Sequence, residues 1–349
     1  MMKNNIIGLD TIKAYTNVLI DGFDLLAYNW DYYRQLDEYC LMVDNIRLYY
    51  KPKHYYLSVT FSASKIQNGV NFIGYNFNYN RELIDYINEI IEENIPVNVG
   101  HLKTWTVNRM DVYVDYAMAN KKDVIIYNSC LSKINYSRCK NSKYDTGNQA
   151  RNKSYCINLY IKKDEIKQRL YGKYKVNKKE KLIIRDRGYN VLRCEIQIRR
   201  TYIKKIFGDN RSVVDLINLL SCKKVFSIFI KKIGIDKPFL SRIEMFDRIN
   251  SSFPSLQGKN IKKFLDYYNK YGFEETLKKY KASTINAYLR MLKKADLNPI
   301  YLTGKVTCRI NMLYFITIYK CNKIPKVKEN IGISLFRYLV VAYYLDRGG

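Results

Sequence analysis

VNRMDVYVDY, residues 107–116, alternates polar and apolar side chains with a period of two, the pattern of a strand with one wet and one dry face. Its even register is Met110, Val112 and Val114; the other is Asp111, Tyr113 and Asp115. SYCINLYIKK (154–163) repeats the pattern, with Asn158, Tyr160 and Lys162 opposite Ile157, Leu159 and Ile161. NVLRCEIQIRR (190–200) does so again, with Arg193, Glu195, Gln197 and Arg199 opposite Leu192, Cys194, Ile196 and Ile198. Placed in one antiparallel sheet, the three polar faces would gather a tyrosine hydroxyl, several carboxylates and several cations on one surface.

Composition narrows what such a surface would meet. The chain has 349 residues and 47% apolar content, enough for about two domains with a real core. Lys and Arg number 60 against 32 Asp and Glu, a formal net charge of +28. Self-repulsion of that size is usually tolerated where the partner is a polyanion, which puts nucleic acid first. The competing explanation is a biased genome, because Lys, Asn, Ile and Tyr are all abundant. No apolar run approaches the ~18 residues of a membrane span, and the N-terminus lacks a signal-peptide pattern. A cytoplasmic location without membrane contact is the expectation. Eight scattered cysteines and two histidines support neither a zinc site nor a disulfide framework, so reduced thiols are expected.

Around the three strands, EYCLMVDNIRLYY and HYYLSVTFSAS read as further strands, and RELIDYINEIIEEN as a helix that Pro96 stops. KKDVIIYNSCLSKI reads as a helix and YSRCKNSKYDTGNQARNKS as a mobile loop. A very basic segment separates the second motif strand from the third, and the flanking loops suggest a channel for a phosphate backbone. After residue 200 the apolar spacing becomes helical, and GDNRS marks a boundary near residue 210. The expected architecture is α+β: an antiparallel-sheet catalytic domain with flanking helices over 1–210, then a mostly helical DNA-binding or accessory domain over 211–349. FEETLKKYKA and STINAYLRMLKKA suggest a helix-turn-helix, with Ser283 or Thr284 as N-cap and Ile285, Tyr288, Leu289 and Leu292 facing inward. An ordinary helical bundle would read the same way.

A phenol with a pKa near 10 is ionised in only about one molecule per thousand at neutral pH. Attack on a phosphodiester therefore needs a base, a cation or both. Asp111, Asp115 and Glu195 offer hard oxygen ligands suited to Mg2+ or Mn2+. Lys162 shares the strand face of Tyr160. The ordinary alternative is that Asp111 and Asp115 pair with Arg193 and Arg199 across the sheet.

At these residues the sequence resembles the replication initiators of filamentous phages and related plasmids, the gene II/X family. SASKIQNGVNFIGY (62–75) is similar to the family's Lys-x-x-x-Gly-x-Asn stretch through Lys65, Gly69 and Asn71. Arg109 and Asp111 match its Arg-Ile-Asp strand, Tyr160 and Lys162 its tyrosine strand, and Arg193 and Glu195 its Arg-Phe-Glu-x-Arg segment. The likeness runs from about residue 40 to 300. The histidine-hydrophobe-histidine motif of the wider class is absent, since His54 and His101 stand far apart, and Asp115 is not a fixed family feature.

The resemblance implies a rolling-circle initiator that nicks and rejoins origin DNA through a 5′-phosphotyrosine link. Tyr160 and Lys162 would be catalytic, and Asp111, Glu195 and Asp115 would bind the metal. Arg109, Lys65, Arg193, Arg199, Arg200 and Lys163 would bind DNA. Double-stranded origin DNA, the displaced single strand, and a host helicase and polymerase are the implied partners, and a homodimer is allowed. A conjugative relaxase or a non-enzymatic DNA-binding regulator are the alternatives.

Overall fold

In the computed structural model, which describes residues 6–69, 74–134, 139–144, 147–162, 190–306, 310, 312 and 313, the three alternating stretches are neighbouring strands. The chain builds β1 (Ile6–Asn17), β2 (Asp31–Tyr33), β3 (Glu38–Val43), β4 (Ile46–Lys51) and β5 (Tyr56–Ser62). It continues with β6 (Thr106–Ala117), β7 (Lys140–Tyr144), β8 (Gly147–Arg151), β9 (Tyr155–Ile161) and β10 (Val191–Arg199). All join one antiparallel sheet in the order β2-β3-β4-β5-β1-β6-β10-β9-β8-β7. The β3–β4 turn falls at Asp44 and Asn45, whose φ values of 46° and 67° give the left-handed pair that a two-residue hairpin needs.

Helices α1 (Gly22–Ala27), α2 (Ala63–Asn68), α3 (Asn80–Asn94) and α4 (Lys121–Leu131) interrupt the strands. After β10 come α5 (Arg200–Phe207), α6 (Val213–Leu216), α7 (Leu219–Ile233), α8 (Arg242–Ser252), α9 (Ser255–Tyr271), α10 (Phe273–Lys279) and α11 (Ala282–Lys294). The α+β class and the helical C-terminal region agree with expectation. Helix α7 lies against β1, β6 and β10, and α4 against β9 and β10. Val225, Phe226, Phe229 and Ile230 of α7 are buried with Val112, Val114, Ile196 and Ile198 of the sheet in one core. Each such side chain is worth about 1.5–3 kcal/mol relative to exposure. The GDNRS stretch is tied back to β6, where Val107 N–H donates to the Arg211 carbonyl at 2.8 Å.

Two of these expectations need correcting, and one strand was not foreseen. The polar stretch expected as a mobile loop contains β7 and β8, paired along their length. Helix α11 is preceded by Lys281 as N-cap, so neither Ser283 nor Thr284 caps it, although Ile285 and Leu292 do face inward. A strand that was not foreseen, β1, runs down the middle of the sheet. Helix α3 ends at Asn94, two residues before Pro96. The cysteines Cys40, Cys130, Cys139, Cys156, Cys194 and Cys222 are free thiols. No helix among the described residues is long and apolar enough to cross a membrane.

Candidate active site

Register fixes which polar side chains meet. Glu195 on β10 sits between Tyr113 of β6 and Asn158 of β9, while Arg193 sits between Asp115 and Tyr160. One row further along, Gln197 lies opposite Asp111, and beyond it Arg199 lies opposite Arg109. The polar faces read from alternation therefore do share one surface.

At its centre, the Tyr160 hydroxyl donates to Glu195 Oε2 at 3.3 Å. Asn158 Nδ2 donates to the other oxygen, Oε1, at 3.1 Å, and is itself held through Oδ1 by Gln149 Nε2 at 2.9 Å. The carboxylate is thus oriented from one side and faces the phenol on the other. Burial raises the Glu195 carboxyl from 4.5 to about 7; the negative charges of Asp10 and Asp111 add to the rise, against Arg193 and the Asn158 hydrogen bond. A base with that value is half ionised near neutrality, where proton transfer is most efficient. Gly147 makes room for Tyr160: a Cβ there would stand 2.5 Å from the tyrosine Cβ and 2.2 Å from the Leu159 carbonyl oxygen.

Lys162 is buried, with its ammonium 5.7 Å from the centre of the Tyr160 ring. Its charge there favours negative charge developing on the phenol oxygen. Asp111 is buried and held by Arg109, whose Nε donates to Oδ1 at 3.0 Å, and by Gln197 Nε2 at 3.3 Å. Burial raises the Asp111 carboxyl, Arg109 and Gln197 oppose the rise, and Asp10 adds to it.

The other candidates are placed differently from expectation. Asp115 is taken up by Arg193, which donates through Nε and Nη2 to its two oxygens at 2.6 Å each. Of the two readings for Asp115, the cross-sheet ion pair is the one the register produces. Arg193 is 0% exposed with its guanidinium 3.7 Å from the Tyr113 ring centre, so it meets no phosphate backbone. Arg109 and Arg199 are half-exposed on the same face, Arg200 is exposed at the start of α5, and Lys65 lies on α2. Lys163 and Asn71 lie outside the described residues.

Among the described residues no group of three His, Cys, Asp or Glu side chains is placed to hold a metal. Arg109, Arg193 and Asn158 already occupy the carboxylates of Asp111, Asp115 and Glu195.

Asp10 was not foreseen. It sits where the register of β1 on β6 shifts between Leu9 and Ile12, accepts from Ser62 Oγ at 2.7 Å, and acts on both Glu195 and Asp111. The only signal in the sequence was a carboxylate within IIGLDTIKAY.

The raised Glu195 carboxyl has a consequence for stability. Between about pH 4.5 and 7 the unfolded chain has lost this proton while the native state keeps it, so stability falls as pH rises through that window. Glu195→Gln is expected to remove this loss. Above about pH 7 the variant should melt higher than the parent, and below about pH 4.5 the two should coincide. Thermal unfolding at both ends checks it, and a variant less stable than the parent at high pH would contradict the assignment.

No family model matches the chain, and no curated protein matches it. A solved structure of a rolling circle replication initiator protein from Geobacillus stearothermophilus is similar at 11% sequence identity, over 57% of this chain and 77% of that chain, with a TM-score of 0.25. So distant a likeness fixes neither fold nor chemistry.

Proposed function

We propose that the protein is a rolling-circle replication initiator that nicks and rejoins origin DNA through Tyr160. The observation that carries this reading is the Tyr160 hydroxyl on a carboxylate raised to about 7, within a strongly basic chain. As the Tyr160 oxygen attacks phosphorus, its proton passes to Glu195. The bond from phosphorus to the 3′ oxygen breaks, that oxygen takes a proton from water, and a 5′-phosphotyrosine link remains. In the reverse direction a 3′ hydroxyl attacks this link, loses its proton, and the phenol oxygen regains the one on Glu195. The phosphodiester is conserved throughout, so rejoining needs no nucleotide hydrolysis. Asn158 and Gln149 hold Glu195 toward the phenol, and Lys162 offsets charge near the ring. A helicase and polymerase of the host would work from the freed 3′ end.

The test is incubation with supercoiled DNA of the parent replicon, magnesium supplied, across a pH series. Open circles should form at a rate that rises through about pH 7 and levels above it, because the ionised Glu195 is the active form. Supercoils left intact at every pH would sink the reading in favour of a DNA-binding regulator.

A further inference from the structure

The strand order holds a duplication that the proposed function leaves unexplained. Reading outward from the centre, β1-β5-β4-β3-β2 on one side mirrors β6-β10-β9-β8-β7 on the other. Each half is an inner strand, a helix (α1 or α4), and four further strands in sequence. A pseudo-twofold axis between β1 and β6 therefore exchanges β4 with β9 and β5 with β10.

Register carries the exchange down to residues. In the second half the rows are Asp115–Arg193–Tyr160 and Tyr113–Glu195–Asn158. Their counterparts in the first half are Tyr15–Ser58–Tyr49 and Lys13–Thr60–Arg47. Thr11 opposite Ser62 stands where Asp111 stands opposite Gln197, and Asp10 lies next to it at the register shift of β1. The strands confirm the pairing: IRLYYK (46–51) and INLYIK (157–162) share Ile, Leu, Tyr and Lys in step. Tyr49 and Lys51 thus stand where Tyr160 and Lys162 stand in the other half.

The differences set the chemistry. Thr60 replaces the base Glu195, Arg47 replaces Asn158, and Lys13 replaces Tyr113, so the half gains cations and loses its proton acceptor. Lys13 directly faces Arg109 across the sheet, and Arg109 faces Arg199. Like charges directly opposite one another destabilise a sheet. Burial first, then Lys51, Arg109 and Arg47, hold the Lys13 ammonium below its ordinary value, with Glu38 offsetting only part. Glu38 is itself paired with Lys51. The Lys13 ammonium rests over the Tyr49 and Tyr56 rings, at 5.4 and 5.8 Å, and Tyr15 stacks on Tyr56 at 5.1 Å. Crowded cations beside half-exposed aromatic rings fit a single strand, whose phosphates neutralise the charges and whose bases stack.

We propose that the Tyr49 half of the sheet is a second strand site that holds single-stranded DNA without cutting it, beside the half that cuts. The polyanion is taken to be DNA on the reading of Tyr160 given above. The missing base is what makes this half a holder. A phosphate seated there meets Thr60 at the position from which Glu195 accepts the Tyr160 proton, and the Glu38 carboxylate of this half is paired with Lys51.

The test measures binding of a labelled single-stranded oligonucleotide, and of its duplex, in a Tyr160→Phe background, where cleavage plays no part. Lys13→Gln combined with Arg47→Gln should weaken single-strand affinity about tenfold or more and flatten the log–log salt slope by about 1.4, or about 0.7 per cation. Duplex affinity should change less. The melting temperature should hold or rise, because the crowding is relieved. Unchanged single-strand affinity in the folded variant, an equal loss for duplex, or covalent DNA on Tyr49 would each overturn the proposal. If Tyr160 proves inert while the double variant still loses strand affinity, the cutting reading falls and the strand site stands.

Discussion

Tyr160→Phe should yield no open circles and no covalent DNA, while the chain stays folded and still binds strands. The substitution deletes one oxygen, the atom that would carry the phosphate, and leaves the ring that lies 5.7 Å from the Lys162 ammonium. The lost hydrogen bond to Glu195 is long, at 3.3 Å, and its carboxylate keeps the Asn158 donor. Such a bond contributes about 0.5–1.5 kcal/mol, so little unfolding should follow. A nicking assay paired with thermal unfolding separates the two effects. Loss of nicking in a chain that has also lost its fold would not count for the mechanism, whereas nicking at the parent rate by a folded variant would count against it.

Arg193→Met should cost about 3–5 kcal/mol of stability, a large share of the roughly 5–15 kcal/mol that holds a typical domain. The guanidinium has no exposed surface and meets Asp115 through two bonds of 2.6 Å. Taking it away leaves the buried Asp115 carboxylate without the two bonds that hold it. Pairing the change with Asp115→Leu removes that carboxylate as well, and this double variant should recover most of the loss. Urea denaturation of both variants measures the difference. A single variant within about 1 kcal/mol of the parent would show that the cross-sheet ion pair contributes little to stability.

Alternation over 107–116, 154–163 and 190–200 was legible because a strand with one polar face writes its period into the sequence. What alternation cannot supply is the partner across each strand. Asp115 could have bound a cation or met an arginine, and only register places it opposite Arg193. Strand β1 stayed hidden for a related reason. The extra residue between Leu9 and Ile12 moves the buried positions from Ile7 and Leu9 to Ile12 and Ala14, which breaks the period and conceals Asp10. Strands β7 and β8 were missed because an edge hairpin with β7 largely exposed needs no apolar face. The duplication leaves only IRLYYK and INLYIK as a trace, and 34 tyrosines make such a short match easy to overlook.

In the proposed reaction the Tyr160 oxygen becomes bonded to a DNA phosphate. The direct measurement is to trap the reaction on supercoiled parent replicon, digest the protein with protease, and locate the DNA-bearing peptide by mass spectrometry. A 5′-phosphate is expected on the peptide containing Tyr160. An adduct on any other tyrosine, or nicked DNA with no covalent protein, would contradict it.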